Sequence, residues 1–222
     1  MTVGLDLAAR RGEGEGMSEQ PLPPGARTAP STARNREPIL DVLKRHLPKQ
    51  GLVLEIAAGA GEHALYNAAA LPGLTWRPTD LDEGALASIE AWREHAGPPN
   101  LLPPLRLDAA RPEDWPVRRA DAIVAINMVH ISPWASTLGL MAGAGRVLPA
   151  GGVLVLYGPY LEDGVAPAPS NLAFDADLKR RNPEWGLRRV ADVAAAAAAH
   201  GLSLAERVEM PANNLTLVFR KG

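Results

Sequence analysis

Residues 52–70 read LVLEIAAGAGEHALYNAAA, and the fold turns on this stretch. LVLEI (52–56) is a short apolar run of the kind found in strands buried on both faces. AAGAGEH follows as a glycine-rich turn, and ALYNAAA is helix-forming. A strand, a glycine turn and a helix in direct succession bring backbone N–H groups up to a ligand. Glycine permits this because it carries no Cβ and tolerates positive φ.

The alternation continues outward from there. LTWRPTD (74–80), LRLD (105–108), ADAIVAINM (120–128) and VLVLYGPY (153–160) predict four further strands, with helices over about 83–95 and 133–147. Upstream, STARNRE leads into Ile39, Leu40, Leu43 and Leu47 at helical spacing, closed by Pro48 and Gly51. Downstream the pattern changes. Residues 161–187 read as a Pro-, Asn- and Asp-rich loop, and Ala194 to Ala199 as a helix ended by His200 and Gly201. LSLAERVEM (202–210) and NLTLVFR (214–220) are separated only by PAN, which leaves no room for a crossover helix, so they pair antiparallel. The expectation is an α/β, Rossmann-like fold: a seven-stranded, mostly parallel sheet with one antiparallel strand and helices on both faces.

A chain of 222 residues suits one such domain. Residues 1–30, with RRGEGEG and PLPPG, read as a disordered leader, Met17 offering a second start, and residues 31–222 as the domain. Lys and Arg number 23 against 25 Asp and Glu, a balance with no footprint for nucleic acid or an anionic membrane surface. Cysteine is absent, which excludes disulfides, thiolate metal sites and cysteine nucleophiles. The five histidines show no metal-ligand spacing, so no metal is expected. No apolar run approaches the roughly 20 residues that span a bilayer, and the N-terminus lacks a signal-peptide core. The default expectation is a cytoplasmic protein.

Gly59 and Gly61 open the helix after the first strand, and Gly59-x-Gly61-x-x-Ala64 also satisfies the dinucleotide fingerprint. Glu55 weighs against a pyrophosphate at this turn, since a carboxylate there repels it but can meet a ligand ammonium group. Asp80 ends the second strand, placed to accept hydrogen bonds from both ribose hydroxyls, which fits either ligand. Asp108 ends the third, where an acid can contact an adenine amino group. Two terminal strands with no intervening helix fit a nicotinamide-binding domain poorly.

Glu55-Ile56-Ala57-Ala58-Gly59-Ala60-Gly61 followed by Asp80 resembles the acid-x-Gly-x-Gly-x-Gly pattern of class I S-adenosylmethionine-dependent methyltransferases. Ala57 stands where that pattern has its first glycine, and it permits close approach if its φ is negative. APSTARNREPIL, LEIAAGAGEH, WRPTD, INMVHISPW, YGPY, SNLAFDADL, NPEWG and MPANNL together resemble the DUF938 family, from about Ala29 to the C-terminus. The resemblance implies the methyltransferase fold and S-adenosylmethionine as cofactor. It does not supply a substrate. The cofactor set is then Glu55, Ala57, Gly59, Gly61, His63, Asp80, Leu81, Asp108, Ala109 and Asn127.

The acceptor side of this fold lies after the fourth and fifth strands. INMVHISPW (126–134) supplies His130, the expected general base because an unperturbed imidazole titrates near neutrality. Ser132-Pro133 read as N-cap and first helical residue, and Trp134 as pocket wall or core. Tyr157 and Tyr160 are expected near the acceptor, and Asn171, Asp175 and Trp185 on a loop over the sheet. Asn213 and Asn214 form a turn tolerating φ > 0, and the DUF938 resemblance turns one amide toward the pocket. Arg34 and Asn35 complete the substrate side, with Arg34 in reach of the cofactor carboxylate. The sequence lacks the Asn/Asp-Pro-Pro-aromatic motif of nucleic-acid amino-methylating enzymes, so a small-molecule substrate is favoured. Two rivals stand beside methyl transfer: a non-catalytic cofactor-binding or interaction module, and a nicotinamide-dependent oxidoreductase. Neither the acceptor nor an oligomeric state is written in these residues.

Overall fold

The structure is a computed structural model that describes residues 22–222. Most of the expected leader, residues 1–21, lies outside the described residues. Within them, packed chain begins before Ser31. Pro23 is buried, the Arg27 N–H donates to Ser88 Oγ at 2.7 Å, and Trp92 Nε1 donates to the Arg27 carbonyl at 3.0 Å.

Helix α1 (Thr32–His46) leads into β1 (Gly51–Ile56), α2 (Glu62–Ala70), β2 (Leu74–Asp80), α3 (Glu83–Ala96) and β3 (Leu105–Arg106). Next come β4 (Ala122–Ile126), α4 (Trp134–Val147), β5 (Val153–Gly158), β6 (Tyr160–Leu161) and α5 (Pro169–Arg181). The chain closes with β7 (Arg188–Arg189), α6 (Val190–Ala198), β8 (Leu202–Met210) and β9 (Asn214–Lys221). Seven strands form one sheet in the order β3-β2-β1-β4-β5-β9-β8. Strands β1 to β5 pair parallel, and β9 is antiparallel to both β5 and β8. Only β9 therefore runs against the others, as expected.

Alternation along the strands sends side chains to two cores. Leu54, Ile123, Leu154 and Phe219 pack with Leu140 and Met141 of α4 and Val193 of α6. Val53, Val124, Val155 and Val218 pack with Ile39 and Leu43 of α1 and Ala64 and Ala68 of α2. All five residues of β4 are buried, which explains its uninterrupted apolar reading. Between β1 and β4 the strand order reverses direction, and at such a switch point the strand ends diverge into a crevice.

Four local expectations are corrected. The segment 161–187 is not all loop, because α5 occupies its middle, opened by Pro169 and carrying a Lys179–Asp175 pair at 2.5 Å. Its buried residues are only Asn171 and Leu178, so it presents no apolar stripe to read. The fifth strand stops at Gly158, and Tyr160–Leu161 form a separate short pair with Arg188–Arg189. Ser132 does not cap α4; its hydroxyl donates to the Met128 carbonyl at 2.9 Å and Pro133 takes the cap position. In the β8–β9 turn the left-handed residues are Ala212 and Asn213, while Asn214 already belongs to β9.

Candidate active site

The carboxyl ends of β1, β2 and β4 open onto a cavity of about 830 Å³, within the range of small-molecule sites. Its lining contains Glu55, Ala57, Gly59, Gly61 and His63 from β1 and the start of α2, and Asp80 and Leu81 from the end of β2. Asp108, Ala109 and Asn127 complete the ten residues assigned to a cofactor from sequence.

The turn is built by backbone that L-residues adopt reluctantly. Gly59 has φ +59° and Gly61 φ +91°. A Cβ on Gly59 would meet nothing within 4 Å, whereas one on Gly61 would stand 2.9 Å from Ile89 Cα. Gly61 is thus required by the packing of α3, and Gly59 leaves the turn open. Ala57 departs from expectation: its φ is +55°, not negative. Ala57 occupies a left-handed conformation that costs an L-residue about 1–2 kcal/mol. Replacing Ala57 with glycine should therefore raise the unfolding free energy by about 1 kcal/mol, read as a higher denaturation midpoint; a lower midpoint would contradict the strain. Asn127 at the end of β4 is also left-handed, at φ +61°, a conformation its side chain tolerates. Two strained residues at the ends of neighbouring strands face one cavity, as strain at functional sites often does.

Asp80 ties the turn to β2. Its Oδ2 accepts the Gly59 N–H at 2.9 Å and its Oδ1 accepts the Asp82 N–H at 3.0 Å. Asp108 Oδ1 accepts the Ala110 N–H at 2.9 Å. Glu55 is 1% exposed and accepts Trp76 Nε1–H at 2.6 Å. Burial pushes its carboxyl up to about 7, the Trp76 bond opposing that shift and nearby Asp80 adding to it. His63 is buried with neither ring nitrogen partnered among the described residues, and desolvation, aided by Arg36, pulls it down to about 4. Its imidazole is neutral at pH 7.

Of the substrate-side residues, Trp185 lines the cavity, with the Arg181 guanidinium 5.2 Å from its ring centre. The others do not line it. His130 is 2% exposed, lies edge-on to Phe174 at 5.6 Å, and is pulled down to about 4 by burial and then by Arg188. The near-neutral titration that recommended it as a base is therefore absent. Trp134 opens α4 and packs half-buried against the core, and Tyr160 is buried with its hydroxyl unpartnered among the described residues. Tyr157 is buried under α1, its hydroxyl against Asn35 and the Arg34 charge nearby. Asn171 donates to the Asn213 carbonyl at 3.0 Å. Asp175 Oδ1 accepts the Leu187 N–H at 2.8 Å, and Asn214 donates to the Pro211 carbonyl at 3.0 Å. The first two of these three bonds tie α5 to the hairpin turn and to the segment before β7, and the third closes the turn itself.

Sequence reading missed Ser31 and Thr32 in the lining, and Ala29 before them. The Ala29 N–H donates to Glu62 Oε2 at 2.5 Å, which pins this segment to the start of α2. A Pro- and Gly-rich approach masked it as leader. Ile131, Ser132 and Ser136 also line the cavity, adjacent to residues that sequence did single out.

A family model described as "Protein of unknown function (DUF938)" matches residues 26–221. The chain belongs to the DUF938 family. The match takes in every element of the sheet and both sides of the cavity. Solved structures add a likeness of fold between this DUF938 protein and class I methyltransferases. CalO1, a methyltransferase in calicheamicin biosynthesis seen in its SAH-bound form, is 20% identical over 86% of this chain and 54% of its own, with TM-score 0.66. Human N-acetylserotonin methyltransferase in complex with SAM is 14% identical over 86% of this chain and 53% of its own, with TM-score 0.71. An O-methyltransferase family 2 protein from Planctomyces limnophilus in complex with apigenin is 18% identical over 86% and 58%, with TM-score 0.74. The DUF938 chain thus spans a little over half the length of each.

Proposed function

We propose that this DUF938 protein transfers a methyl group from S-adenosylmethionine to a small-molecule acceptor. The observation that carries the reading is one cavity at the β1/β4 switch point whose lining includes Glu55, the glycine turn, Asp80 and Asp108. The residues fit that cofactor. Asp80 keeps lone pairs for two ribose hydroxyls beyond the N–H groups it already accepts. Asp108 can accept from an adenine amino group, with Leu81 and Ala109 as apolar flanks. Glu55 is a buried carboxyl with no cationic side chain bonded to it among the described residues, and an ammonium group would complete it. Gly59 leaves open the close approach that a tail of this kind needs.

The cofactor supplies a methyl group on a sulfonium sulfur. An acceptor lone pair would take that methyl as the carbon–sulfur electron pair returned to sulfur, and an acceptor that carried a hydrogen would release it to water as a proton. The chain's contribution is to orient and to exclude water, and proximity alone supplies a large part of such a rate. His130 is not carried forward as the base, because it lies outside the cavity and its imidazole is a weak proton acceptor there. The fold likeness to methyltransferases seen with SAM or SAH supports the cofactor.

Isothermal titration with S-adenosylhomocysteine, run beside NADH on one preparation, tests the reading. S-adenosylhomocysteine should bind and NADH should give no heat. NADH binding alone would replace the reading with an oxidoreductase, and silence from both would overturn it in favour of a non-catalytic module.

A further inference from the structure

Ile131 and Trp185 line the cavity but take no part in the cofactor assignment. The cofactor residues come from the ends of β1, β2 and β3 and from Asn127. Ile131 comes from the turn after β4, and Trp185 from the segment between α5 and β7. Ile131 is 38% exposed and Trp185 half-buried, so both lining side chains keep apolar surface that a ligand can cover.

The fold makes these two side chains neighbours. The Gly186 N–H donates to the His130 carbonyl at 3.1 Å, which brings Trp185 and Ile131, the residues beside them, onto adjoining backbone. Gly186 has φ +143°, and a Cβ there would stand 2.8 Å from Asp175 Oδ1, so glycine is what lets the chain turn this closely onto α5. Arg188 spans both segments: its Nη2 donates to the Ser132 carbonyl at 2.9 Å and to the Glu184 carbonyl at 2.6 Å. Arg181, whose guanidinium lies 5.2 Å from the centre of the Trp185 ring, is not among the lining residues, so it covers surface of the indole away from the cavity.

The charge of the lining is one-sided. It carries the carboxyl groups of Glu55, Glu62, Asp80, Asp82 and Asp108 and, among the described residues, no lysine or arginine. Arg27 pairs with Asp82 at 3.0 Å, whereas Glu62, Asp80 and Asp108 form no ion pair among the described residues. An anion entering such a cavity gives up hydration and meets like charge.

We propose that Trp185 and Ile131 form the acceptor end of the cavity and take an uncharged acceptor with a flat ring, refusing anions, and that Arg188 is the positioning residue that sets Trp185 there. A planar ring buries the most apolar surface against an indole, and a polar or ionised group would lie unpaired against this wall. The inference rests on the methyltransferase reading.

Isothermal titration of β-naphthol and of β-naphthoate into the full chain saturated with S-adenosylhomocysteine tests it. The two probes share a ring system and differ in charge at pH 7. β-Naphthol should bind with a dissociation constant below about 1 mM, as eleven heavy atoms against an apolar wall allow, and β-naphthoate at least about tenfold more weakly. Trp185→Ala should weaken β-naphthol by about tenfold or more and leave S-adenosylhomocysteine within about twofold, while Trp185→Phe keeps most of the β-naphthol affinity. Arg188→Gln should also weaken β-naphthol, and the double variant should bind it no more weakly than Trp185→Ala alone, because Arg188 acts through Trp185. Losses that add in the double variant would reduce Arg188 to a structural residue and overturn its part. No β-naphthol binding, equal affinity for β-naphthoate, or an unaltered Trp185→Ala would overturn the acceptor class. Lost S-adenosylhomocysteine binding in Trp185→Ala with Trp185→Phe intact would return the indole to the cofactor. Failure of wild type to bind S-adenosylhomocysteine would instead defeat the methyltransferase reading, and the same β-naphthol titrations on the free protein would still judge the wall.

Discussion

Asp80→Ala is expected to weaken S-adenosylhomocysteine binding by a factor of 100 or more while the chain stays folded. A carboxylate accepting two ribose hydroxyls contributes about 1.5–3 kcal/mol per charge-assisted hydrogen bond, and each 1.4 kcal/mol is tenfold in affinity. The variant also loses a second function of the side chain. Asp80 holds the Gly59 N–H at 2.9 Å, so its removal frees the turn over which the tail of the ligand would lie. The fold should survive because Asp80 is the last residue of β2 and only half-buried. Circular dichroism would show an intact spectrum, and titration calorimetry would show the loss. Asp80→Asn, which keeps one acceptor oxygen, should fall between the two. Unchanged affinity in Asp80→Ala would remove the ribose assignment.

The second large effect is on pH. Burial raises Glu55 to about 7 from an ordinary 4.5, so in the free protein it is largely protonated below neutrality. A ligand ammonium group favours the carboxylate, and binding therefore releases a proton in that range. The sign follows: affinity for S-adenosylhomocysteine should rise as pH rises, by up to about tenfold per unit from pH 5 to 7, and level off above. Stability runs the other way. A carboxyl whose folded pKa is raised stabilises the fold below its unfolded pKa, and that contribution is lost as pH climbs through about 7. Glu55→Gln should flatten the affinity profile over this window, bind more weakly at pH 8, and melt higher than wild type there. An unaltered pH profile in Glu55→Gln would show that the carboxyl does not face the ammonium group.

The sheet was legible because each strand is an apolar run or an alternation of apolar and polar residues with its own stop signal. LTWRPTD and LSLAERVEM coincide with β2 and β8, and the three-residue gap before β9 forced an antiparallel pair. Helix α5 was not legible for the opposite reason. It opens on a proline and carries spaced charges, such as Asp175 with Lys179, and has no buried stripe to read. The acceptor side was legible only as a list of unusual residues. His130 and Tyr160 were both expected beside the acceptor, yet both are buried, His130 against Phe174 of α5 and under the segment before β7.

Sequence alone determined the order of the strands' chemistry: an acid near the end of β1 with a glycine turn after it, an acid as the last residue of β2, another just after β3. These are short-range features, and in a parallel sheet the carboxyl ends of successive strands come to one edge without further instruction. Only the tertiary structure decided the sign of φ at Ala57 and Asn127, the neutral state of His63 and the burial of His130. The two φ values follow from the turns that leave β1 and β4, and the states of the two histidines from the distant side chains that exclude water from them. That exclusion is a property of packed surfaces from segments distant in the chain, and no local pattern encodes it.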